Sequence, residues 1–217
     1  MGHILTALIA YLLGSIPTGF LVGKAKGLDI RAFGSGNIGA TNVVRQLGTK
    51  AGVFVLVADA LKGWLAVVVV GVLFSNWFQG PADLEARERL EIIAGVSAIL
   101  GHNYTCWLYF KGGKGIATSA GVLVGLVPGA LLIILAVWIV VFALTRFVSL
   151  ASILASFTLP FATWITGHTS TMIGITAAMA TLAIFKHKSN ISRLINGTEN
   201  RFTIKRTNTA SEAPKST

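Results

Sequence analysis

Long apolar segments constrain this chain more than any other feature of its sequence. Residues 4–23 form a run of about twenty mostly apolar residues, which is enough for a helix to cross the ~30 Å hydrocarbon core of a bilayer. Residues 116–185 are apolar over almost their whole length. With 53% hydrophobic and 12% charged residues, the chain is too apolar for a soluble domain of this size. The sequence therefore predicts an all-α fold, a polytopic membrane helical bundle.

The number of crossings depends on residues 116–185. Before them, the apolar runs predict helices over residues 4–23, 51–74 and 92–110. Turn-forming residues at Pro128-Gly129, Arg146 and Gly167-His168 divide the last region into four short segments. Two long, kinked spans are the alternative, and residues 116–127 are short enough to be a partly inserted helix. We predict seven transmembrane helices, with five as the alternative.

The charges of the connecting segments predict the orientation. Residues 24–50 carry five basic side chains against Asp29, and residues 186–206 carry six against Glu199. Residues 75–91 instead hold four acidic and two basic side chains. Because basic segments stay in the cytoplasm, we expect an outside N-terminus, a retained first helix and a cytoplasmic C-terminus.

The remaining composition predicts one domain and few partner classes. Residues 1–206 read as a single integral membrane domain, and residues 207–217 as a disordered polar tail. The single Cys106 excludes an internal disulfide and a multi-cysteine metal site. We predict no metal, no cofactor and no nucleic-acid partner. We interpret the net charge of +10 as favouring contact with membrane lipids and with an anionic substrate.

Two charges fall inside the second predicted helix. Asp59 and Lys62 are spaced i,i+3 and should pair on one face. Charges within a membrane helix are often functional, but a helix-packing role is equally open. They are therefore left out of the predicted site.

The first of three polar clusters is SGNIGATN, residues 35–42, followed by Arg45. Its glycines permit tight turns, Thr41 or Asn42 can cap a following helix, and a guanidinium lies one turn further on. An anion could bind there, although an ordinary glycine-rich loop is the alternative. The candidate binding residues are Ser35, Gly36, Asn37, Gly39, Thr41, Asn42 and Arg45.

The second cluster is FKGGKGIATSAG, residues 110–121. Glycine N–H groups that converge beside a lysine favour phosphate binding. The stretch is not a nucleotide-binding P-loop, because the spacing is wrong and Gly115 follows the lysine where that motif has Ser or Thr. A flexible cytoplasmic turn is the alternative. The candidate residues are Gly112, Gly113, Lys114, Gly115 and Thr118.

The third cluster covers residues 186–202. His187 and Asn190 share one helix face by their i,i+3 spacing, while a solvated basic segment touching anionic lipid is the alternative. All three clusters are predicted on the same membrane face, which favours a common phosphate site. The candidate residues here are His187, Lys188, Asn190 and Glu199, with Ser152 added from the helix after Arg146.

The three blocks SGNIGATNVVR, GHNY with FKGGKGIATSAG, and KHKSNISRLINGTENRF resemble the PlsY family of bacterial acyl-phosphate:glycerol-3-phosphate acyltransferases in order and spacing. The resemblance covers about residues 1–206. It implies a multi-pass enzyme of the bacterial inner membrane with a cytoplasmic site formed by these motifs. Thr105, where the family usually has proline, and Ser189, where an acidic residue is common, depart from the family pattern.

The resemblance also implies the chemistry. Long-chain acyl phosphate would acylate glycerol 3-phosphate and yield lysophosphatidic acid. Ser35, Arg45 and Lys114 would bind substrate phosphate, and His187 and Asn190 match the third motif. Either the leaving phosphate or a side chain, His187 or Glu199, accepts the hydroxyl proton, and we favour the phosphate. No histidine is followed five positions later by aspartate, the pair that many glycerolipid acyltransferases use.

Two other functions fit part of the sequence. An organic-phosphate transporter would also use basic, glycine-rich loops, but should have polar groups at mid-membrane, where Asp59 and Lys62 are the charged candidates. A membrane scaffold with a basic tail would need no glycine-rich phosphate loops. The acyltransferase is therefore the predicted function.

Overall fold

The computed structural model describes residues 1–78 and 84–202, and these contain helices but no strand. The eleven α-helices are α1 (Gly2–Ser15), α2 (Thr18–Ala25), α3 (Ala40–Leu47), α4 (Thr49–Leu65), α5 (Val72–Phe78), α6 (Leu84–Asn103), α7 (Ile116–Leu126), α8 (Pro128–Thr145), α9 (Val148–Ile165), α10 (Ser170–Lys186) and α11 (Lys188–Ile195). The predicted all-α fold is confirmed. Asp83, in the predicted acidic loop, and the predicted disordered tail, residues 207–217, lie outside the described residues.

The first predicted helix, residues 4–23, is two helices that meet at Pro17. Proline has no N–H to donate and its ring crowds the preceding turn, so α1 ends at Ser15 and α2 starts at Thr18. Together they form an apolar stretch, Gly2–Ala25, that is long enough to cross a membrane. The prediction of one helix is therefore wrong. The predicted membrane span is present, and it consists of two helices with a kink between them.

The next two predictions also need new boundaries. The helix predicted for residues 51–74 is α4 and α5 joined through a π-helical stretch, Ala66–Gly71. The helix predicted for residues 92–110 is wrong at both ends, since α6 begins at Leu84 and stops at Asn103. Charges were expected to exclude residues 84–91 from a helix. Instead Arg87 Nε bonds Glu91 Oε1 at 2.7 Å along the helix, which makes these charges compatible with helical structure.

Residues 116–185 hold four helices, as the turn residues predicted. Pro128 begins α8, Arg146 separates α8 from α9 with a φ of 62°, and Gly167 lies between α9 and α10. In the described part of the chain, four stretches are long and apolar enough to cross a membrane: Gly2–Ala25, Thr49–Phe74, Pro128–Thr145 and Val148–Ile165. Helices α7 and α10 are shorter, so seven crossings and their orientation remain predictions.

Close helix contacts build the core. Helix α1 packs along α6, α4 along α7, and α9 lies between α8 and α10. At the α1–α6 contact a Cβ on Gly14 would lie 2.1 Å from the carbonyl oxygen of Ala98, so a small residue is required there. Two loops leave this bundle, one between α2 and α3 and the other between α6 and α7. We call residues 33–39 the first glycine loop and residues 111–115 the second.

Candidate active site

Asn42 organises the first glycine loop. Its side chain is 1% exposed, and its amide nitrogen donates to the carbonyl oxygens of Ile30, Phe33 and Asn37 at 3.0, 3.1 and 2.9 Å. Its Oδ1 accepts the N–H of Ser35 at 3.2 Å. Asn42 therefore holds the loop from inside, and leaves Ser35 exposed on the surface.

Two further predicted residues act within the same loop. The Oδ1 atom of Asn37 accepts the N–H of Gly39 at 2.8 Å, which fixes the turn into α3. Gly36 has a φ of 67° and is exposed, whereas Thr41 is half-buried at the start of α3. Arg45 follows Asn42 on that helix, so the loop and helix together present a hydroxyl and a guanidinium.

The second glycine loop packs against the end of α6. The N–H of Gly112 donates to Asn103 O at 3.3 Å and that of Gly113 to His102 O at 3.0 Å. These bonds satisfy carbonyls that a helix end leaves unpaired. The two glycine N–H groups are thus engaged within the protein, and the loop instead presents Lys114 and the first-turn N–H groups of α7, which begins just after Gly115.

A carboxylate network ties the second and third clusters together. Lys114 Nζ donates to Asn190 Oδ1, and Asn190 Nδ2 donates to Glu199 Oε1 at 2.8 Å. The same oxygen accepts Ser149 Oγ at 2.8 Å, while Glu199 Oε2 accepts Arg193 Nε at 2.7 Å. Lys114 of the second loop is therefore linked through Asn190 of α11 to Glu199 in the segment after that helix.

Arg45 joins the first cluster to this assembly. Its guanidinium donates to the carbonyl oxygen of Asn200 at 3.2 Å, next to Glu199. Hydrogen bonds therefore link members of all three predicted clusters, through Arg45, Lys114 and Asn190. Three cations, Arg45, Lys114 and Arg193, surround a single carboxylate, which leaves a surplus of positive charge for anionic ligands.

Burial lowers the pKa of Lys114 to about 8, and the positive charges of Arg193 and Arg45 add to this effect against the attraction of Glu199. For Glu199, burial raises the pKa, but hydrogen bonds from Asn190, Ser149 and Arg193 outweigh it and hold the pKa below its usual range. Both groups are charged at pH 7, and the pKa of Lys114 lies only about one unit above that pH.

His187 is buried at the junction of α10 and α11. Burial, with the nearby charge of Lys114, lowers its pKa to about 4, so the imidazole is neutral at pH 7. Its Nδ1 lies 2.7 Å from Ala183 O. Because a carbonyl only accepts, Nδ1 carries the proton and Nε2 is the acceptor.

Three candidates lie outside the carboxylate network. Ser152 Oγ accepts Trp138 Nε1 at 3.1 Å and donates to Val148 O. Thr118 is fully buried in α7. Lys188 is exposed, with its ammonium 5.1 Å from the centre of the Phe185 ring.

Two network members were missed from the sequence. Arg193 lies three residues after Asn190, so the i,i+3 spacing that selected His187 and Asn190 also pointed to it. Ser149 was passed over for Ser152, one turn further along α9. In the described part of the chain, no group of three or more His, Cys, Asp or Glu side chains could hold a metal ion.

Comparisons with known proteins identify the family of the chain. A family model described as Glycerol-3-phosphate acyltransferase matches residues 4–197. Among curated relatives with that name, one from Geobacter sulfurreducens is 47% identical over 199 residues, covering 92% of this chain and 96% of the relative. One from Fusobacterium nucleatum is 45% identical over 195 residues, covering 89% and 95%.

Solved structures are similar as well. The crystal structure of PlsY (YgiH), an integral membrane glycerol 3-phosphate acyltransferase, in its glycerol 3-phosphate form, matches with a TM-score of 0.82 and 37% identity, covering 94% of this chain and 96% of that chain. Its lysophosphatidic acid form matches with a TM-score of 0.80 and 36% identity, covering 94% and 97%. The predicted family, membrane class and acyltransferase activity are thereby confirmed, and the transporter and scaffold alternatives are set aside. The chain belongs to the glycerol-3-phosphate acyltransferase family, the integral membrane enzymes that include PlsY.

Proposed function

We propose that the enzyme takes its acyl group from a long-chain acyl phosphate, transfers it to the 1-hydroxyl of glycerol 3-phosphate and releases lysophosphatidic acid and inorganic phosphate. This would be the first step of bacterial phospholipid synthesis. The observation that supports it best is the convergence of Arg45 and Lys114, from two glycine-rich segments, on one carboxylate network. Two phosphorylated substrates require such a concentration of positive charge to lie side by side.

Both the reaction and the site favour the phosphate as proton acceptor. The hydroxyl oxygen attacks the acyl carbonyl carbon, the bond from that carbon to the phosphate oxygen breaks, and the hydroxyl proton ends on the released phosphate. With a pKa of about 4, His187 is a weaker base than a phosphate dianion, whose conjugate acid has a pKa of about 6. In this mechanism His187 Nε2 orients the hydroxyl and the substrate carries the proton away.

An apolar groove gives the acyl chain a place beside the site. It is lined by Leu13, Pro17, Phe20 and Trp107, among others, where the α1–α2 kink faces the short turn Cys106–Leu108 that follows α6. Leu108, which also lines the groove, packs in one apolar cluster with Ile38 of the first glycine loop. A donor delivered from the bilayer would reach the loops from this side, with the site in the cytoplasm and the enzyme in the inner membrane.

Three donors given separately test the proposal. Purified enzyme with glycerol 3-phosphate and either palmitoyl phosphate, an acyl-carrier-protein thioester or acyl-CoA should form lysophosphatidic acid from palmitoyl phosphate alone, with one inorganic phosphate per product. Lys114→Ala is the inactive control. Equal product from a thioester donor, or none from acyl phosphate, would contradict the proposed donor.

A further inference from the structure

A group of buried charges lies beneath the two glycine loops and has no part in the mechanism above. Asp59 and Lys62 on α4 and His102 on α6 are 2%, 5% and 4% exposed. Lys62 Nζ lies 2.8 Å from Asp59 Oδ1, and His102 Nδ1 lies 3.7 Å from the same oxygen. We call these three residues the buried polar unit.

The unit holds the start of α2, which supports the first glycine loop. Lys62 Nζ donates to Ile16 O at 2.8 Å, and Thr18 Oγ1 donates to Asp59 Oδ1 at 3.1 Å. The residue after Thr18 is in close contact with that loop, since a Cβ on Gly19 would lie 1.8 Å from Ile38 O. A movement of the ion pair would therefore be transmitted to the first loop.

The unit also supports the second glycine loop. A Cβ placed on Gly113 would lie 2.1 Å from His102 Nε2, so the imidazole edge lies directly against the loop backbone. The carbonyl of His102 accepts the N–H of Gly113. Lys114 is the next residue, so the His102 side chain, which also faces Asp59, supports the position of Lys114.

Stability alone is a poor reason for such an arrangement. Removing two charges from water costs several kcal/mol per ion, and a buried ion pair often returns no more than a well-packed apolar pair would. What it provides instead is a fixed geometry, because each charged atom has defined partners. Among the described residues, neither Asp59 nor Lys62 bonds to Lys114, Asn190 or Glu199.

We propose that Asp59, Lys62 and His102 are positioning residues that set the relative placement of the two glycine loops, and with it the separation of the Arg45 and Lys114 charges. The inference rests on the proposed function, in which both loops bind substrate phosphate. A displacement of about 1 Å between such groups costs up to about a hundredfold in rate. The unit therefore acts on catalysis without touching a substrate.

The test removes both charges together, so that none is left unpaired. In Asp59→Asn/Lys62→Met, we expect folded, monodisperse enzyme in which amide hydrogen exchange, followed by mass spectrometry, is faster in residues 33–39 and 111–115. The KM for glycerol 3-phosphate should rise, and kcat/KM should fall about tenfold or more. A smaller folded fraction would lower kcat without changing KM.

The matched control removes an exposed ion pair. Arg31 and Asp29 approach to 2.8 Å, as closely as Lys62 and Asp59, but on the surface. Asp29→Asn/Arg31→Met should leave the KM and the exchange of residues 111–115 unchanged. A lower Tm in the buried double variant, with wild-type exchange in both loops and wild-type KM, would overturn the inference.

A second variant covers the case in which the double variant does not fold. His102→Gln keeps the ion pair, and should speed exchange in residues 111–115 while residues 33–39 keep wild-type protection. Unchanged exchange in residues 111–115 would overturn the inference. Exchange needs no substrate, so this result stands even if the wild type uses a different donor and the proposed function fails.

Discussion

Lys114 and His187 are neighbouring polar residues of the same site with opposite expected importance. Lys114 offers a full positive charge, and its amine bonds to Asn190. His187 is neutral and bonded to a backbone carbonyl. We expect Lys114→Ala to lose nearly all activity and His187→Ala to retain measurable turnover, assayed by phosphate release.

The control for this comparison is Arg89→Ala, because Arg89 is an exposed cation of α6, paired with Glu85, and belongs to none of the three clusters. It should keep nearly wild-type activity. Complete loss of turnover in His187→Ala alone would indicate that a side chain, and not the leaving phosphate, accepts the proton.

The pKa of Lys114 predicts the alkaline side of the pH profile. The amine is charged below its pKa of about 8 and neutral above it, so kcat/KM should fall as the pH rises through about 8. The residual activity of Lys114→Arg should lack this fall, since guanidinium stays charged. A wild-type profile that is flat from pH 7 to 10 would contradict the assignment.

At the scale of single elements, the second glycine loop depends on its contact with α6. Gly113→Ala places a methyl group 2.1 Å from His102 Nε2, so the loop or the His102 ring must shift, and the support of Lys114 changes. We expect a fall in kcat/KM of about tenfold or more and a lower Tm by scanning fluorimetry.

Gly174→Ala is the matched control, because nothing lies within 4 Å of the added Cβ and its position is inside α10. It should leave activity unchanged and stabilise the helix by about 0.5–1 kcal/mol. Equal losses in the two variants would show that the His102 contact has no special role.

Some kinds of residue predicted the helix ends better than others. Pro128 and Gly167 placed the turns after α7 and α9 correctly, because proline and glycine act locally. Arg146, a charge between two apolar stretches, placed the turn after α8. Charge was a poorer guide, since Arg87 and Glu91 pair along α6 and do not end it. The glycines of residues 112 and 113 were expected to expose N–H groups, and their dependence on α6 needed the packed structure.

At the scale of the whole molecule, the sequence indicated that three clusters share a face, but not how they meet. The positive-inside rule gives only the side of the membrane. Contacts such as Lys114 with Asn190, 76 residues apart, and Arg45 with Asn200, 155 apart, come from the packing of the bundle. The choice of Ser152 over Ser149 shows the same limit, because adjacent turns of α9 face different neighbours.

The segment after α11 is part of the proposed site. Glu199 belongs to no helix, yet it centres the carboxylate network, and the N–H of Phe202 is tied to Arg146 O at 2.7 Å. A shortened chain of residues 1–196 would keep all eleven α-helices of the described residues and should be inactive, whereas one of residues 1–202 should match the full chain in the phosphate-release assay. Affinity tags and fusion partners therefore belong beyond Phe202, and a stop codon a few residues upstream would yield a well-folded protein without a working site.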